Sequence, residues 1–336
     1  MIQSLYNKPK SYEVAAAREN ARGATIDSAA RREDVAHRTA LLYLEAQRAA
    51  RGAETARQLV ATSEKLVGTT TARVSEGREL PLESRRATLR LAQARQRLGD
   101  LEAARDQTEA SLAVVLGFGP DDRVRPGSDE QTLPEVPSDE NASVDAALAN
   151  NKEVQRLESA MQVRGLEARA VRASWRPQID LIAQYALLAK YNNYEQYFNA
   201  FQRHNGQLGA SIALPIFPGR GADARAAQAD LEVRRLTTQV NAVRDRITLD
   251  TRRAFHDLRR AESAQDLAKL DLEVTREQLT VMLVQSEEGR ASVRQVEELR
   301  AAETEKWLVY YDSLHAVERA QVDLLSQTGT LLAAIR

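Results

Sequence analysis

The chain has 336 residues, 28% of them charged, with 47 basic against 48 acidic side chains and a formal net charge of −1. That even mixture excludes the basic stripe of a nucleic-acid binder, and the 43% apolar content excludes a chain disordered by composition. There is no cysteine, which excludes disulfide and thiol chemistry.

From about Tyr6 the chain reads as one long helix of alanines and mixed charges. It reaches a turn at Ser75-Glu76-Gly77-Arg78-Glu79-Leu80-Pro81. Glycine adopts the left-handed conformation that closes helices, and proline suits the first turn of the next. A second helix then runs to Gly117. The stretch from Gly117 to Ala142 holds four of the nine prolines and reads as an irregular connector. Ser143 is placed to cap a helix that carries Asp145 in its first turn and stops at Arg176-Pro177.

The period then changes from helical to alternating. Ile179, Leu181, Ala183, Tyr185 and Leu187 share one face, and so do Leu208, Ala210, Ile212 and Leu214. The spacing predicts strands over Gln178–Tyr191 and Gln207–Phe217, each with one apolar face and one polar or small face, as in a barrel wall. A long helix follows from about Gly221 to Glu287, roughly 100 Å at 1.5 Å per residue. Glu288-Gly289-Arg290 turns the chain again. The last helix is predicted from about Ala291 to Gln327, with Trp307, Tyr310, Leu314, Val317 and Leu324 along a coiled-coil type of seam.

Glu76-Gly77-Arg78 and Glu288-Gly289-Arg290 are the same tripeptide, 212 positions apart. The same offset carries Tyr43 onto Phe255, Leu112 onto Leu324 and Gly117 onto Gly329. The chain is therefore an internal duplication. The predicted fold class is mainly α, with long antiparallel helical hairpins in two repeats and one β-hairpin of a membrane barrel. The predicted parts are a first repeat at 1–117, a connector at 118–142, a helix at 143–176, the β-hairpin at 177–217, a second repeat at 218–329 and a tail at 330–336.

The order of these parts resembles the outer-membrane efflux channels of the TolC type over nearly the whole chain. The residues that carry the resemblance are Pro177-Gln178-Ile179 opening a strand, Leu214-Pro215-Ile216-Phe217 closing one before Gly219-Arg220-Gly221, the Glu288-Gly289-Arg290 turn and the duplication. The resemblance implies a homotrimer sharing a twelve-stranded barrel in the outer membrane, with a helical tunnel extending through the periplasm. It implies a passive exit duct for small molecules, metals or proteins in a tripartite efflux or type I secretion system. The tip turns at Gly77, Arg78, Gly289 and Arg290 would meet a periplasmic adaptor, the membrane fusion protein that connects to an inner-membrane pump. The family's entrance carboxylates fall on Gln295 and Glu298, with Glu297 beside the latter, so that one position keeps its acid and one is an amide. Leu5-Tyr6 would end a strand whose partner precedes residue 1. The sequence thus reads as a channel truncated within its first hairpin, without its signal peptide.

Nothing in the sequence suggests an enzyme or a cofactor. His37, His204, His256 and His315 are far apart and form no metal-binding pair. No phosphate-binding loop, dinucleotide fingerprint or nucleophile elbow occurs. Two other readings use the same helices. A periplasmic or cytosolic coiled-coil scaffold leaves the β-hairpin unexplained, and a pump adaptor would need Gly-rich β domains.

Overall fold

The computed structural model describes residues 1–127, 136–137, 139–187, 204–215 and 220–334. Among these, seven helices and one three-stranded sheet account for most of the chain. The order is β1 (Ile2–Tyr6), α1 (Lys8–Ser75), α2 (Pro81–Val115), α3 (Glu140–Asn150), α4 (Lys152–Arg172), β2 (Gln178–Leu187), β3 (His204–Ala213), α5 (Arg220–Glu287), α6 (Val293–Gln327) and α7 (Leu331–Ala334).

The duplication is kept to the residue. Both α1 and α5 have 68 residues, and both α2 and α6 have 35. Each boundary in the first pair maps onto the second at the offset of 212. The four positive-φ glycines obey the same rule: Gly77 (71°) and Gly289 (73°), Gly117 (88°) and Gly329 (65°). Starts of the second helices differ in chemistry. Leu80 is extended before Pro81 at the head of α2, whereas Ser292 and Gln295 form a reciprocal capping box at the head of α6.

The chain forms two compact units, with the boundaries falling inside α1 and α5. One comprises residues 1–29 and 152–245, the other 30–151 and 246–336.

In the first unit, β1, β2 and β3 form an antiparallel sheet in that order. The β2–β3 register sets Ile179 opposite Ile212, Leu181 opposite Ala210 and Ala183 opposite Leu208, so the two apolar faces are one surface. The opposite face pairs Asp180 with Ser211 and Gln184 with Gln207. β2 follows the prediction from Gln178 as far as Leu187, where the described residues stop, whereas β3 is in place by His204, three residues before Gln207, and ends at Ala213, short of Phe217. The loop and strand end at 188–203 and the strand exit at 216–219 lie outside the described residues, as does connector segment 128–135. Below the sheet, α4 buries Val154, Leu157 and Val163, and α5 buries Leu236 and Val240. Ion pairs connect Arg172 to Asp230 and Arg244 to Glu158. Gly23 of α1 lets α4 approach closely, since a Cβ there would lie 3.3 Å from the Ser159 hydroxyl, which itself donates to the Glu19 carbonyl.

The second unit corrects the helix predicted from Ser143 to Arg176. The cap is Asp139, whose carboxylate accepts from the Ala142 amide, and Ser143 is buried within the first turn. That helix also breaks at Asn151, which takes an extended conformation, and its continuation in the first unit ends at Arg172. Asparagine side chains compete for backbone groups and weaken helix interiors, and two stand in a row at the break. The predicted tail contains α7, and Leu331 of α7 is fully buried against Leu44, Val322 and Leu325.

Helix α6 has two buried stripes where the sequence suggests one seam. Val317 and Leu324 pack with Phe255 and Leu258 of α5. Val322 and Leu325 pack with Leu44 of α1, and Leu308 and His315 continue that stripe at seven-residue spacing. A helix with a neighbour on each side needs a wide apolar face, not the narrow stripe of a two-stranded coil.

Polar pairs fix the register of α1 against α6. His37 Nε2 lies 2.7 Å from Asp323, Glu45 lies 3.4 Å from His315 Nε2, and Arg48 Nε donates to Asp312 at 2.8 Å. In each pair the two residue numbers add to 360, as an antiparallel ladder requires.

Candidate functional site

The candidate site is the end of the second unit that carries both tip turns. At each turn the helix closes in the same way. The Arg78 amide donates to the Arg73 carbonyl and the Gly77 amide to Val74, at 2.9 and 3.0 Å. The Arg290 amide donates to Gln285 and the Gly289 amide to Ser286, at 2.8 and 3.1 Å. These are paired Schellman bonds, which place a glycine at the left-handed position. Nothing lies within 4 Å of where a Cβ would stand on Gly77 or Gly289. Conformation alone therefore demands glycine at both turns. Arg78 pairs with Glu76 at 3.2 Å and Arg290 with Glu288 at 3.1 Å. Both arginines are 76% exposed, so each tip presents a guanidinium to solvent with its own acid beside it.

The turns lie at the same end of the unit. Arg294, five residues past Gly289, sits 3.8 Å from Glu83, six past Gly77. One turn further on, Arg90 of α2 donates to Glu298 of α6 at 3.2 Å. Glu298 is thus tied to the first repeat, and both partners remain nearly half exposed. Glu297 is only 12% exposed and takes a hydrogen bond from Arg300 at 2.9 Å, while its Oε2 is buried with no hydrogen-bond partner among the described residues. Gln295 acts locally, since its side-chain oxygen accepts from the Ser292 amide at 2.8 Å in the capping box.

A cleft of roughly 530 Å³ opens between α1, α2 and α6 here, lined by Leu59, Leu66, Arg90, Arg97, Glu298 and Glu305, among others. The structure thus brings Glu297 and Glu298 to one cleft and sets Gln295 at the helix head. Sequence reasoning missed Arg90 and Arg97, 208 and 200 positions from Glu298 and Glu297, because nothing local marks a cross-repeat partner. The Gln295 bond had a legible signal, the Ser-x-x-Gln capping pattern.

Each histidine finds a partner close by. His37, His256 and His315 sit beside Asp323, Glu140 and Glu45, and His204 of β3 bonds the Tyr185 hydroxyl. Among the described residues no group of three metal-ligating side chains assembles. No described helix is long and apolar enough to cross a membrane, which says nothing of a β-barrel. The apolar face of the sheet is open, with Tyr185 67%, Leu208 78% and Ile212 71% exposed.

No protein-family model matches the sequence, and no curated protein does. Solved structures do. The outer membrane protein VceC of Vibrio cholerae superposes with a TM-score of 0.76 at 17% identity, over 98% of this chain and 78% of its own. CusC, described for its transmembrane channel formation, gives 0.79 at 14% identity, over 98% and 76%. The open state of the MtrE outer membrane channel of Neisseria gonorrhoeae gives 0.74 at 16%, over 94% and 71%. At such identities the shared property is the fold, and this chain has the fold of the TolC-type outer-membrane efflux channels.

Proposed function

We propose that the chain is the outer-membrane channel component of a tripartite efflux or type I secretion system, working as a homotrimer. It would be a passive duct for small molecules, metals or proteins, without catalytic steps or cofactors. The observation that carries this reading is the fold likeness to outer-membrane channels over 94–98% of the chain, joined to an open apolar sheet face. Water disfavours such a face, whereas lipid accommodates it. In this reading the Gly77-Arg78 and Gly289-Arg290 turns receive the hairpin tips of a periplasmic adaptor, which connects the channel to an inner-membrane pump. Glu298, with Glu297 behind it, sets a negative potential at the periplasmic entrance. Gln295 contributes no charge there.

The rival is a coiled-coil scaffold, which has no use for a lipid-facing sheet. Leu208→Asp with Ile212→Asp separates the two. If the sheet meets lipid, this pair sharply lowers recovery of the protein in the outer-membrane fraction and its conductance in planar bilayers, because charges on a lipid face are destabilising, by about 2–4 kcal/mol for a basic side chain at the midplane and by less for an acidic one. Unchanged fractionation of a folded variant would favour the scaffold.

A further inference from the structure

Three arginines follow one another along α1 in the second unit, and two of them are saturated. Arg48 donates to Asp312 and Glu45, and Arg57 to Glu102 and Glu54. These bonds hold both guanidiniums above their ordinary pKa. Arg51 lies between them, half-buried, and makes no side-chain hydrogen bond or ion pair among the described residues. By the register of the α1–α6 ladder its opposite number is Val309, which carries no charge.

Arg51 lines a cavity of about 370 Å³ together with Glu54, Thr55, Gln58, Trp307 and Tyr311. The Trp307 and Tyr311 rings lie 5.5 Å apart and within 27° of parallel. Tyr310 meets Trp307 edge-on at 6.0 Å, and the Arg276 guanidinium sits 5.9 Å from the Trp307 centroid. Half-buried aromatic faces offer a stacking surface for a flat ligand. Glu54 is held by Arg57, so the unmatched charge at the cavity is the cation of Arg51. The volume is at the small end of ligand pockets, enough for one or two fused rings.

We propose that this cavity binds a planar aromatic carboxylate, with the ring system against Trp307 and Tyr311 and the carboxylate on Arg51. A guanidinium matches a carboxylate with two parallel hydrogen bonds. A cationic aromatic is disfavoured by the unmatched Arg51, since Arg276 on the platform already has Glu303 at 3.6 Å. The site does not depend on the transport reading, since it is built within the second unit alone.

Calorimetric titration of the folded chain with 2-naphthoate and with uncharged 2-naphthamide tests it. Naphthoate should bind saturably, once per chain, and at least 10-fold tighter than naphthamide. Arg51→Gln should weaken naphthoate at least 10-fold, and Arg51→Lys should restore part of the loss. Arg31→Gln, the same charge change on an exposed arginine outside the cavity, should leave binding as it is. In a Trp175→Phe background, Trp307 fluorescence should follow the same isotherm. Equal binding of the amide, no saturable binding, an unaffected Arg51→Gln variant, or an equal loss in Arg31→Gln would each overturn the proposal. Should Arg51→Gln fail to fold by circular dichroism, the comparison of acid with amide on the unaltered chain decides.

Discussion

Alanine at Gly329 should destabilise the protein more than alanine at Gly117, although the two glycines hold equivalent places in the repeat. Both have positive φ, 65° and 88°, and both end a helix with paired Schellman bonds. A Cβ in the left-handed region costs about 1–2 kcal/mol, of which about 0.4–1 kcal/mol is offset by the stiffer unfolded chain. At Gly117 nothing stands within 4 Å of the new methyl, so the net cost should be about 1 kcal/mol. At Gly329 the methyl would meet the Asn150 carbonyl oxygen at 3.1 Å and its carbon at 3.3 Å. These are backbone atoms at the end of α3 and cannot rotate away. The overpacking adds about 1–3 kcal/mol, for a total of roughly 2–4 kcal/mol. Guanidinium unfolding followed by circular dichroism measures both variants, with unchanged slopes required for the comparison. If Gly329→Ala unfolded at the same denaturant concentration as Gly117→Ala, or higher, the close approach of α3 to the second repeat would be refuted.

The remaining predictions concern the core, the seam and the proposed entrance. Leu112 and Leu324, equivalent positions exposed by 1% and 0%, should each lose about 2–5 kcal/mol on replacement by alanine, read from the same unfolding curves. Burial pushes the His315 imidazole below its ordinary value, with the nearby Glu45 acting in the opposite sense. The unfolded chain then binds more protons in the window below about pH 6.5, so stability should fall as pH drops through that value. His315→Gln should flatten the slope in unfolding curves taken from pH 8 to pH 5. If the chain works as the proposed channel, Glu298→Gln with Glu297→Gln should lower cation selectivity in a planar bilayer and leave Arg90 without its acid. An unchanged reversal potential would remove these glutamates from any gating role.

The long helices, their turns and the alternating strands are legible in the sequence because each rests on local chemistry. Gly77 and Gly289 show the left-handed helix end, Pro81 shows a helix start, and the alternation from Ile179 to Leu187 shows a strand. Their offset then reveals the repeat without any alignment. Asp139 is harder to read as a cap, because Ser143 offers the same chemistry four residues later, and which one caps depends on what the helix packs against. The stop at Asn151 rests on two successive asparagines, a much weaker signal than a proline or a left-handed glycine. The second stripe of α6 is hidden because the sequence does not say how many neighbours a helix has. Of the candidate site, the turns and the acidic residues are readable. The arginines opposite them are not, since Arg90 meets Glu298 only when two distant helices have already found their register.

The ladder between α1 and α6 works as a combination lock. Its tumblers are three unlike pairs, one histidine on each helix and one arginine. Sliding α6 by four residues in one direction would set His37 against Arg319, Glu45 against Tyr311 and Arg48 against Leu308. Sliding it the other way would set His37 against Gln327, Glu45 against Arg319 and Arg48 against Ala316, which recovers a single attraction. Alanine-rich helices with mixed charges slip easily, because many alignments bury similar area. Here only one alignment satisfies all three rungs. A helix pair of this kind can move as a rigid rod or separate, but one-turn ratcheting along the seam has no second resting place.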